Sequence, residues 1–252
     1  MTSSQRMERV SILVVDDEPC LRKVIRTTLA ASGYAVEEAC NGEEAIGKTR
    51  EHPFDLVLLD MNMPGMRGID ACRGIRGTSP NAGIIMVTVC DMEDEKVHAL
   101  EAGADDYVTK PFKLRELTAR LRAVLRRTRR ETHRPEILQA GNLKMDLHRR
   151  TLWKGDAAVH LSPTEFNLLA FMMKTPDTTL THIKLLCTIW GPAYAAERDY
   201  LRAYIKALRK KIEDDTANPK YVLTEAWVGY RFHNPSEPDS RFVAMHESAV
   251  PF

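Results

Sequence analysis

Four short apolar runs in the first half of the sequence each end in residues that suit metal or phosphate chemistry. These are Asp16 and Asp17 after ILVV, Asp60 after LVLL, Thr88 after GIIMV and Lys110 after YVT. Carboxylates that lie close together repel one another, and they either take up protons or bind a cation. An open site with oxygen ligands alone suits Mg²⁺, which pairs well with a phosphate group. With a carboxylate as nucleophile, a lysine to neutralise phosphate oxygens and a hydroxyl to hydrogen-bond one of them, the set predicts phosphoryl transfer.

The elements that would position these residues are strands of a parallel sheet. Strands are predicted at 10–15, 34–39, 55–60, 83–88 and 105–110, and segments of helical period separate them. Five such βα units indicate a doubly wound parallel sheet, in which the carboxyl ends of all strands lie on one rim. Asp60 alone is explained equally well as a turn or helix-capping aspartate. Because the other strands also end in polar residues on this rim, a functional site is favoured over a turn or capping role for Asp60.

Length and composition are those of an ordinary globular protein. The chain has 252 residues, of which 44% are hydrophobic and 28% charged, so one large or two modest domains are expected. Its apolar runs fall short of the roughly 20 residues of a membrane span, and the start MTSSQRMER lacks a signal-peptide core. The sequence therefore predicts a cytoplasmic protein without a membrane partner. The five cysteines and eight histidines show no metal-binding or redox spacing, which favours reduced thiols.

Charge is divided unevenly between the two halves. Residues 1–125 contain 16 Lys and Arg against 20 Asp and Glu, whereas residues 126–252 contain 20 against 15. The second half is therefore the one expected to bind a polyanion. A dense basic run followed by proline at 126–136 predicts a helix end and a short linker. The Pro/Ser-rich tail from residue 234 is predicted to be disordered.

The second half predicts short alternating strands followed by helices. Ser162-Pro163-Thr164-Glu165 has the form of a capped helix start, and a third helix over 196–214 combines an apolar stripe with a basic face. A solvated surface is the common explanation of such a face. The ending YVLTEAWVGYRF, a strand, a turn and a strand, instead indicates a wing that follows a helix-turn-helix.

The motifs ILVVDDEP, LLDMNMPGMRG, MVT and GADDYVTKPF resemble the receiver domain of bacterial response regulators over residues 10–127. By that resemblance Asp60 is the phosphoacceptor, Asp17 binds Mg²⁺ directly, Asp16 helps through water, and the Asn62 main-chain carbonyl is a further ligand. The resemblance also implies that Thr88 and Tyr107 form the switch pair and that Lys110, before a cis Pro111, binds the phosphate. One departure is Val89, where the family usually has a small residue; a bulkier side chain there would narrow access to the acyl phosphate.

Residues 137–233 resemble the winged-helix effector domain of the OmpR/PhoB subfamily, and the WGPAY and TEAWVGYRF segments look most like its potassium-responsive (KdpE) branch. In that subfamily the third helix enters the major groove and the wing touches the minor groove. The resemblance assigns DNA contacts to Arg202, Tyr204, Lys206, Arg209, Lys210, Thr224, Gly229, Tyr230 and Arg231. Arg202 and Arg209 are expected on the exposed side of the helix as base readers, and Lys206, Lys210 and Arg231 as phosphate contacts. Ala226-Trp227 stands where many relatives carry Arg-Gly.

A symmetric dimer is expected on phosphorylation, through the fourth helix, fifth strand and fifth helix. Charges of opposite sign flank that strand and can pair across a two-fold axis. They are Lys96, Glu101, Asp105 and Asp106 before the strand and Lys113, Glu116, Arg120 and Arg127 after it.

The full prediction is an α/β protein with a (βα)5 receiver at 1–127, a linker at 128–136, an α+β winged helix-turn-helix domain at 137–233 and a tail at 234–252. Its expected partners are a sensor histidine kinase, double-stranded promoter DNA and a second copy of the chain, with RNA polymerase as a further candidate. It is expected to be no enzyme beyond self-phosphorylation from small phosphodonors and slow autodephosphorylation.

Two alternatives stay open at this point. An Mg²⁺-dependent phosphohydrolase fused to a basic module would use Asp60 as nucleophile, but Asn62 stands where such enzymes usually carry the general acid. A phosphorylation-independent DNA-binding dimer is favoured only by Val89.

Overall fold

The structure, a computed structural model, describes residues 9–89, 98–128 and 136–235. By its internal contacts the chain divides into two compact units, Met1–Thr128 and Arg129–Phe252. Most of the predicted linker and tail, and Lys96 of the predicted dimer face, lie outside the described residues. The finer domain boundaries therefore remain predictions.

The first unit contains a five-stranded parallel sheet in the order β2-β1-β3-β4-β5. Its strands are β1 (Ser11–Val15), β2 (Ala35–Ala39), β3 (Leu56–Asp60), β4 (Gly83–Thr88) and β5 (Asp106–Thr109). Its helices are α1 (Pro19–Ala31), α2 (Gly42–Glu51), α3 (Gly68–Thr78), α4 (helical residues 98–101) and α5 (Leu114–Thr128). Every predicted strand is present within one residue at each end, so the doubly wound parallel sheet is confirmed.

Burial explains why the central strands are almost wholly apolar. All five residues of β3 and all six of β4 are buried, as expected of strands with helices on both faces of the sheet. Helix α5 places Leu117, Leu121 and Val124 in the core and leaves its basic residues mostly outside. The sheet thus holds its carboxyl-terminal rim in one rigid layer.

The second unit opens with an antiparallel sheet of β6 (Ile137–Ala140), β7 (Leu143–Asp146), β8 (Thr151–Lys154) and β9 (Ala157–Val159). Three helices follow: α6 (Pro163–Met173), α7 (His182–Ile189) and α8 (Arg198–Ile212). A smaller sheet in the order β10-β12-β11 consists of β10 (Thr179–Thr181), β11 (Val222–Glu225) and β12 (Gly229–Phe232). Strands β11 and β12 form the predicted wing, and the winged helix-turn-helix fold is confirmed.

Local sequence signals account for these helices. The Ser162 side chain accepts from the Glu165 main-chain N–H while the Glu165 carboxylate accepts from that of Ser162, which forms the predicted capping box. In α8 the predicted apolar stripe is buried throughout: Leu201, Ile205, Leu208 and Ile212. Among the described residues, the helices are too short or too polar to cross a membrane.

Candidate phosphoacceptor site and DNA-binding face

Three carboxylates meet at the carboxyl end of the parallel sheet. Strands β1 and β3 are neighbours, with Val15 opposite Leu59, so Asp16 and Asp17 lie at the same level as Asp60. One oxygen of each carboxylate lies within 4.8 Å of the others. Asp16 and Asp60 are each only 3% exposed, whereas Asp17 is exposed to solvent. The convergence inferred from the strand ends is therefore present.

Lys110, just beyond β5, joins this cluster. Its Nζ lies 2.8 Å from Asp16 Oδ2 and 3.0 Å from Asp60 Oδ1. Burial raises the pKa of the Asp60 carboxyl; the Lys110 ammonium opposes that rise, and Asp16 and Asp17 add to it. Burial by itself lowers the pKa of the Lys110 ammonium, but its bonds to the two carboxylates outweigh burial and hold it above its ordinary value. Lys110 is thus a fixed cation beside Asp60.

The donor set fits Mg²⁺. All three side chains offer oxygen, one of them faces solvent, and their three negative charges exceed the single positive charge of Lys110, which favours binding of a cation. The main chain of Asn62, an exposed residue two positions after Asp60, is available as a further oxygen donor. The four predicted ligands therefore suit a hard, oxygen-binding ion.

The loop after β3 closes tightly on the site. The Met61 N–H donates to the Val87 carbonyl at 2.8 Å, and the Gly68 N–H donates to the Met61 carbonyl at 3.1 Å. A methyl group at Gly68 would clash with the main-chain oxygen of Asp60. Only glycine permits this close approach. Sequence reasoning missed this role, although Gly68 is part of the motif MPGMRG.

Asp16 has two further partners that sequence reasoning missed. Its Oδ1 accepts the Glu18 main-chain N–H at 2.8 Å, and the Arg22 guanidinium donates to its main-chain oxygen. These bonds hold the turn after β1 and orient the carboxylate toward Lys110.

The predicted switch pair lies on the same part of the sheet. Thr88 is buried at the end of β4, and its carbonyl accepts the Lys110 N–H at 2.6 Å. Tyr107 lies on β5 opposite Met86 and is half-buried. Val89 points outward and is 63% exposed. The Lys110–Pro111 peptide bond is cis, as predicted.

In the second unit, three basic residues line the outer face of α8. Arg202, Lys206 and Lys210 are all exposed and follow one another at intervals of four residues, close to one helical turn. The Arg202 guanidinium is paired with Asp199 in the preceding turn. A row of cations along an exposed helix is an arrangement that fits a nucleic-acid groove.

Comparison with known proteins identifies the family of each unit. Residues 12–122 match the response regulator receiver domain, and residues 156–232 match the C-terminal domain of transcriptional regulatory proteins. The transcriptional regulatory protein KdpE of Mycobacterium tuberculosis H37Rv is 43% identical over 88% of this chain and 98% of its own length. This chain belongs to the OmpR/PhoB-type response regulators. The KDP operon transcriptional regulatory protein KdpE of Escherichia coli K12 is 37% identical over the same shares of both chains.

A solved structure of a RitR mutant, in which a cysteine is replaced by aspartate, has the same fold as this response regulator. It is 27% identical, covers 89% of this chain and 99% of its own, and superposes with a TM-score of 0.75. The match to the KdpE proteins supports the predicted branch within the family.

Three predicted dimer-face residues of this response regulator are not on the surface. Asp105 is fully buried and accepts from Arg76 at 2.8 Å and from the Ile84 N–H at 3.1 Å. Asp106 is fully buried with Arg120 Nη1 at 3.2 Å, and the buried Arg127 donates to the Asp105 carbonyl at 3.0 Å. These charges have partners within the receiver, and their assignment to a dimer face stays a prediction. Charge pattern alone does not distinguish partners in the same chain from partners in a second copy.

The other predicted dimer residues differ in exposure. Lys113 and Glu116 are exposed, Arg120 is partly exposed and contacts Glu116 at 3.2 Å, and Glu101 is half-buried. Of this set, Lys113, Glu116 and Arg120 are accessible enough to contact a second copy.

Two residues of α8 that the resemblance assigns to DNA contacts do not face outward. Tyr204 is fully buried, with its ring centroid 5.0 Å from that of Trp190, so it belongs to the core. Arg209 bends back to the wing: Nε and Nη2 donate to the Val222 carbonyl at 3.0 and 2.6 Å, and Nη2 donates to Thr224 Oγ1 at 2.8 Å. The prediction of an exposed Arg209 was therefore wrong. Its helical phase places it beside β11, which covers that side of α8.

The wing also departs from the prediction. Arg231 is buried and paired with Asp177 at 2.6 Å and Glu225 at 2.8 Å, so it is not an exposed phosphate contact. Gly229 and Tyr230 are buried as well, and a methyl group at Gly229 would clash with the Leu180 carbonyl of β10. Thr224 is exposed. The accessible part of the wing is thus its outer strand edge and its tip.

Proposed function

We propose that this response regulator accepts a phosphoryl group on Asp60 from a sensor histidine kinase and that the phosphoryl group controls binding of its winged helix to promoter DNA. The observation that carries the proposal is the contact of Lys110 Nζ with both Asp16 and Asp60 inside a cluster of three carboxylates. The buried Asp60 carboxylate can act as the nucleophile, and beside it lie an ammonium group and further carboxylates that can bind a metal ion, the groups that phosphoryl transfer requires.

The reaction forms one O–P bond and breaks one P–N bond. An Asp60 oxygen attacks the phosphorus of a phosphohistidine, and the kinase histidine leaves with the electron pair of the broken bond. Asp60 must be ionised to attack, and Lys110 favours that form against the burial that raises the Asp60 pKa. The same ammonium is placed to neutralise an oxygen of the incoming phosphoryl group.

Mg²⁺ would be held by Asp16, Asp17, Asp60 and the Asn62 carbonyl, and when bound it supplies positive charge to the phosphoryl oxygens. The Thr88 hydroxyl is the proposed hydrogen-bond donor to the acyl phosphate, and Tyr107 its partner in the switch. Small phosphodonors are expected to transfer a phosphoryl group to Asp60 in the same way. Water is expected to hydrolyse the resulting acyl phosphate slowly.

DNA binding is proposed for the exposed face of α8. Lys206 and Lys210 are suited to phosphate contacts, since an ammonium neutralises a backbone oxygen whatever the sequence. Arg202 is suited to reading a base, because a guanidinium can pair with guanine at two positions. Because promoter DNA is the proposed partner, the protein is proposed to act in the cytoplasm, where that DNA lies. RNA polymerase is a further proposed partner. The KDP operon in the name of the Escherichia coli relative makes a promoter of that kind the proposed target.

A symmetric dimer is proposed for the phosphorylated form. Lys113 lies just before α5, and Glu116 and Arg120 lie in its first half; the three are accessible and carry both signs of charge, which a two-fold axis can bring together. Exposed pairs contribute about 0 to 1 kcal/mol each, so they would set geometry more than affinity.

The experiment compares wild type, Asp60→Asn and Asp70→Asn after incubation with acetyl phosphate and Mg²⁺, followed by intact mass and gel filtration. Asp70 is the matched control, since it is an exposed acid that pairs with Arg73 on α3. One phosphate adduct and a dimer are expected for wild type and Asp70→Asn, and neither for Asp60→Asn. Chelation of Mg²⁺ should abolish the adduct. An adduct on Asp60→Asn would contradict the proposal.

A further inference from the structure

The Asp17 carboxylate differs from the other two carboxylates of the acidic cluster in how it is held. Among the described residues it has no hydrogen-bond or ion-pair partner, whereas the carboxylates of Asp16 and Asp60 both contact Lys110. Asp17 is also exposed, yet one of its oxygens lies within 4.8 Å of the other two carboxylates. The position of Asp17 must therefore be set by the main chain that carries it.

That main chain is fixed by the bonds of the preceding residue, Asp16. The Asp16 N–H donates to the Ala39 carbonyl of β2 at 3.3 Å, and the Asp16 carboxylate accepts the Glu18 N–H at 2.8 Å. The Asp16 carbonyl belongs to the peptide group that joins Asp16 to Asp17, and it accepts from the Arg22 guanidinium. Because a peptide group is planar, this last bond sets the orientation of the unit from which Asp17 starts.

The Arg22 side chain is itself held in place by the edge strand β2. It is only 14% exposed, and its Nε lies 3.4 Å from Glu38 Oε2. Lys48 Nζ donates to the Glu38 carbonyl at 2.6 Å, which fixes the main chain of that residue. Arg26, one turn further along α1, lies 2.7 Å from the other Glu38 oxygen. Of these two described arginines that pair with Glu38, Arg22 alone also bonds to Asp16.

We propose that Arg22 is a positioning residue for Mg²⁺, because its guanidinium fixes the Asp16–Asp17 peptide group and thereby keeps the Asp17 carboxylate beside those of Asp16 and Asp60. The inference rests on the proposed function, in which these carboxylates hold the ion. Residues that orient metal ligands typically contribute about 10- to 100-fold to metal affinity. Arg22 also carries a positive charge, which by itself repels a second cation. Positioning and charge therefore predict opposite changes in Mg²⁺ affinity when the guanidinium is removed.

The test measures Mg²⁺ binding to the full chain by titration calorimetry. Arg22→Met keeps an apolar stem and removes both the donors and the charge, whereas Arg22→Lys keeps the charge but loses the planar fork of donors. Arg26→Met is the matched control, because it removes the same charge and a pair with the same Glu38 carboxylate from the same helix. Circular dichroism without Mg²⁺ shows whether each variant is folded.

Arg22→Met should bind Mg²⁺ about 10- to 100-fold more weakly than wild type, although loss of the charge alone would strengthen binding. Arg22→Lys should show a smaller loss, and Arg26→Met should bind at least as tightly as wild type. Phosphoryl incorporation from acetyl phosphate gives a second readout. Arg22→Met should need more Mg²⁺ for its half-maximal rate and should reach a saturating rate within a few-fold of wild type, which a residue needed only for folding would not produce.

Mg²⁺ affinity in Arg22→Met equal to or above that of wild type would overturn the inference and leave the proposed function standing. If Arg22→Met does not fold, wild-type affinity in Arg22→Lys would overturn it in the same way. An equal loss in Arg22→Met and Arg26→Met would also overturn it, since the shared pair with Glu38 would then account for the effect. Failure of wild type to bind Mg²⁺ and to accept a phosphoryl group would overturn the proposed function and the inference with it.

Discussion

In the receiver unit the charges proposed to act in phosphoryl transfer are mostly buried and contact one another, whereas in the winged-helix unit the charges proposed to contact DNA are exposed and the buried charges are paired within the unit. Asp16, Asp60 and Lys110 belong to the first kind. Arg209 and Arg231 are the opposite case, since the Arg209 guanidinium is bound to the main chain of the wing and that of Arg231 to the carboxylates of Asp177 and Glu225. Buried charged residues are therefore proposed to serve chemistry in the receiver, and in the winged-helix unit they are bound within the fold.

This difference follows from what each site must bind. A phosphoryl group is small and is held by groups that converge on a few atoms, which requires burial and tolerates electrostatic cost. Duplex DNA is large, and a helix contacts it through residues that project into solvent. Substitutions should separate the two cases.

The largest effect is expected at Lys110. Lys110→Ala should slow phosphoryl incorporation from acetyl phosphate by about 100- to 1000-fold, the usual loss when a preorganised electrostatic group is removed. Lys113→Ala, an exposed lysine three residues away, is the control and should react at the wild-type rate. Intact mass over time gives both rates. If Lys110→Ala reacted at a rate within a few-fold of wild type, the contacts of Lys110 with Asp16 and Asp60 would have no role in phosphorylation.

Arg209 tests the opposite side of the comparison. Arg209→Ala should lower the free energy of unfolding of the winged-helix unit by roughly 1.5 to 3 kcal/mol, because it removes charged hydrogen bonds to Val222 and Thr224. It should weaken binding to every single-base variant of a target duplex alike. Chemical denaturation measures the free energy of unfolding, and competition binding measures the preference among single-base variants. Arg202→Ala, at an exposed residue, is the control and should keep wild-type stability. Relaxed preference at one base pair in Arg209→Ala would restore it as a base reader.

A smaller effect is expected on receiver stability. Burial raises the folded-state pKa of Asp60 above its ordinary value of 3.8, so the stability it contributes is fully present below that value and is lost as pH rises through the folded pKa. An asparagine at this position does not ionise, so this loss of stability does not occur in Asp60→Asn. Its free energy of unfolding at neutral pH without Mg²⁺ should exceed that of wild type by roughly 0.5 to 2 kcal/mol. Calorimetry against pH measures it, with the receiver transition identified by its response to Mg²⁺. Destabilisation by Asp60→Asn would show that the buried charges support the fold.

The smallest effect is expected at Lys210. Lys210→Ala should lower the slope of log affinity against log salt by about 0.9, the contribution of one phosphate contact. It should weaken binding evenly across sequences, in contrast to Arg202→Ala, which should relax preference at one base position. Titrations at several salt concentrations measure the slope. An unchanged slope would remove Lys210 from the DNA-binding face.

Sequence reasoning succeeded where geometry is fixed by topology. The carboxyl ends of parallel strands share one rim, so the residues at the ends of β1, β3 and β5 were expected to meet, and Asp16, Asp60 and Lys110 do. It was less successful where a side chain depends on what covers it. Helical period gave the buried stripe of α8, but it did not reveal that β11 covers Arg209.

The dimer face and the wing show the same limitation. Opposite charges before and after the fifth strand, among them Asp105, Asp106 and Arg127, suggested contacts between copies, but the sequence did not reveal that these three have partners in the same receiver. The departure at Trp227 was visible in the sequence, but its full exposure and positive φ are properties of the folded turn.

The central claim is that a phosphoryl group on Asp60 controls DNA binding, and the most direct measurement is the affinity of wild type and Asp60→Asn for one duplex with and without acetyl phosphate and Mg²⁺. Wild-type affinity should rise by about 5- to 150-fold, the range of ordinary coupling between two sites. Asp60→Asn should bind equally well under both conditions. An equal rise in both proteins, or an unchanged wild-type affinity despite a phosphate adduct, would contradict the claim.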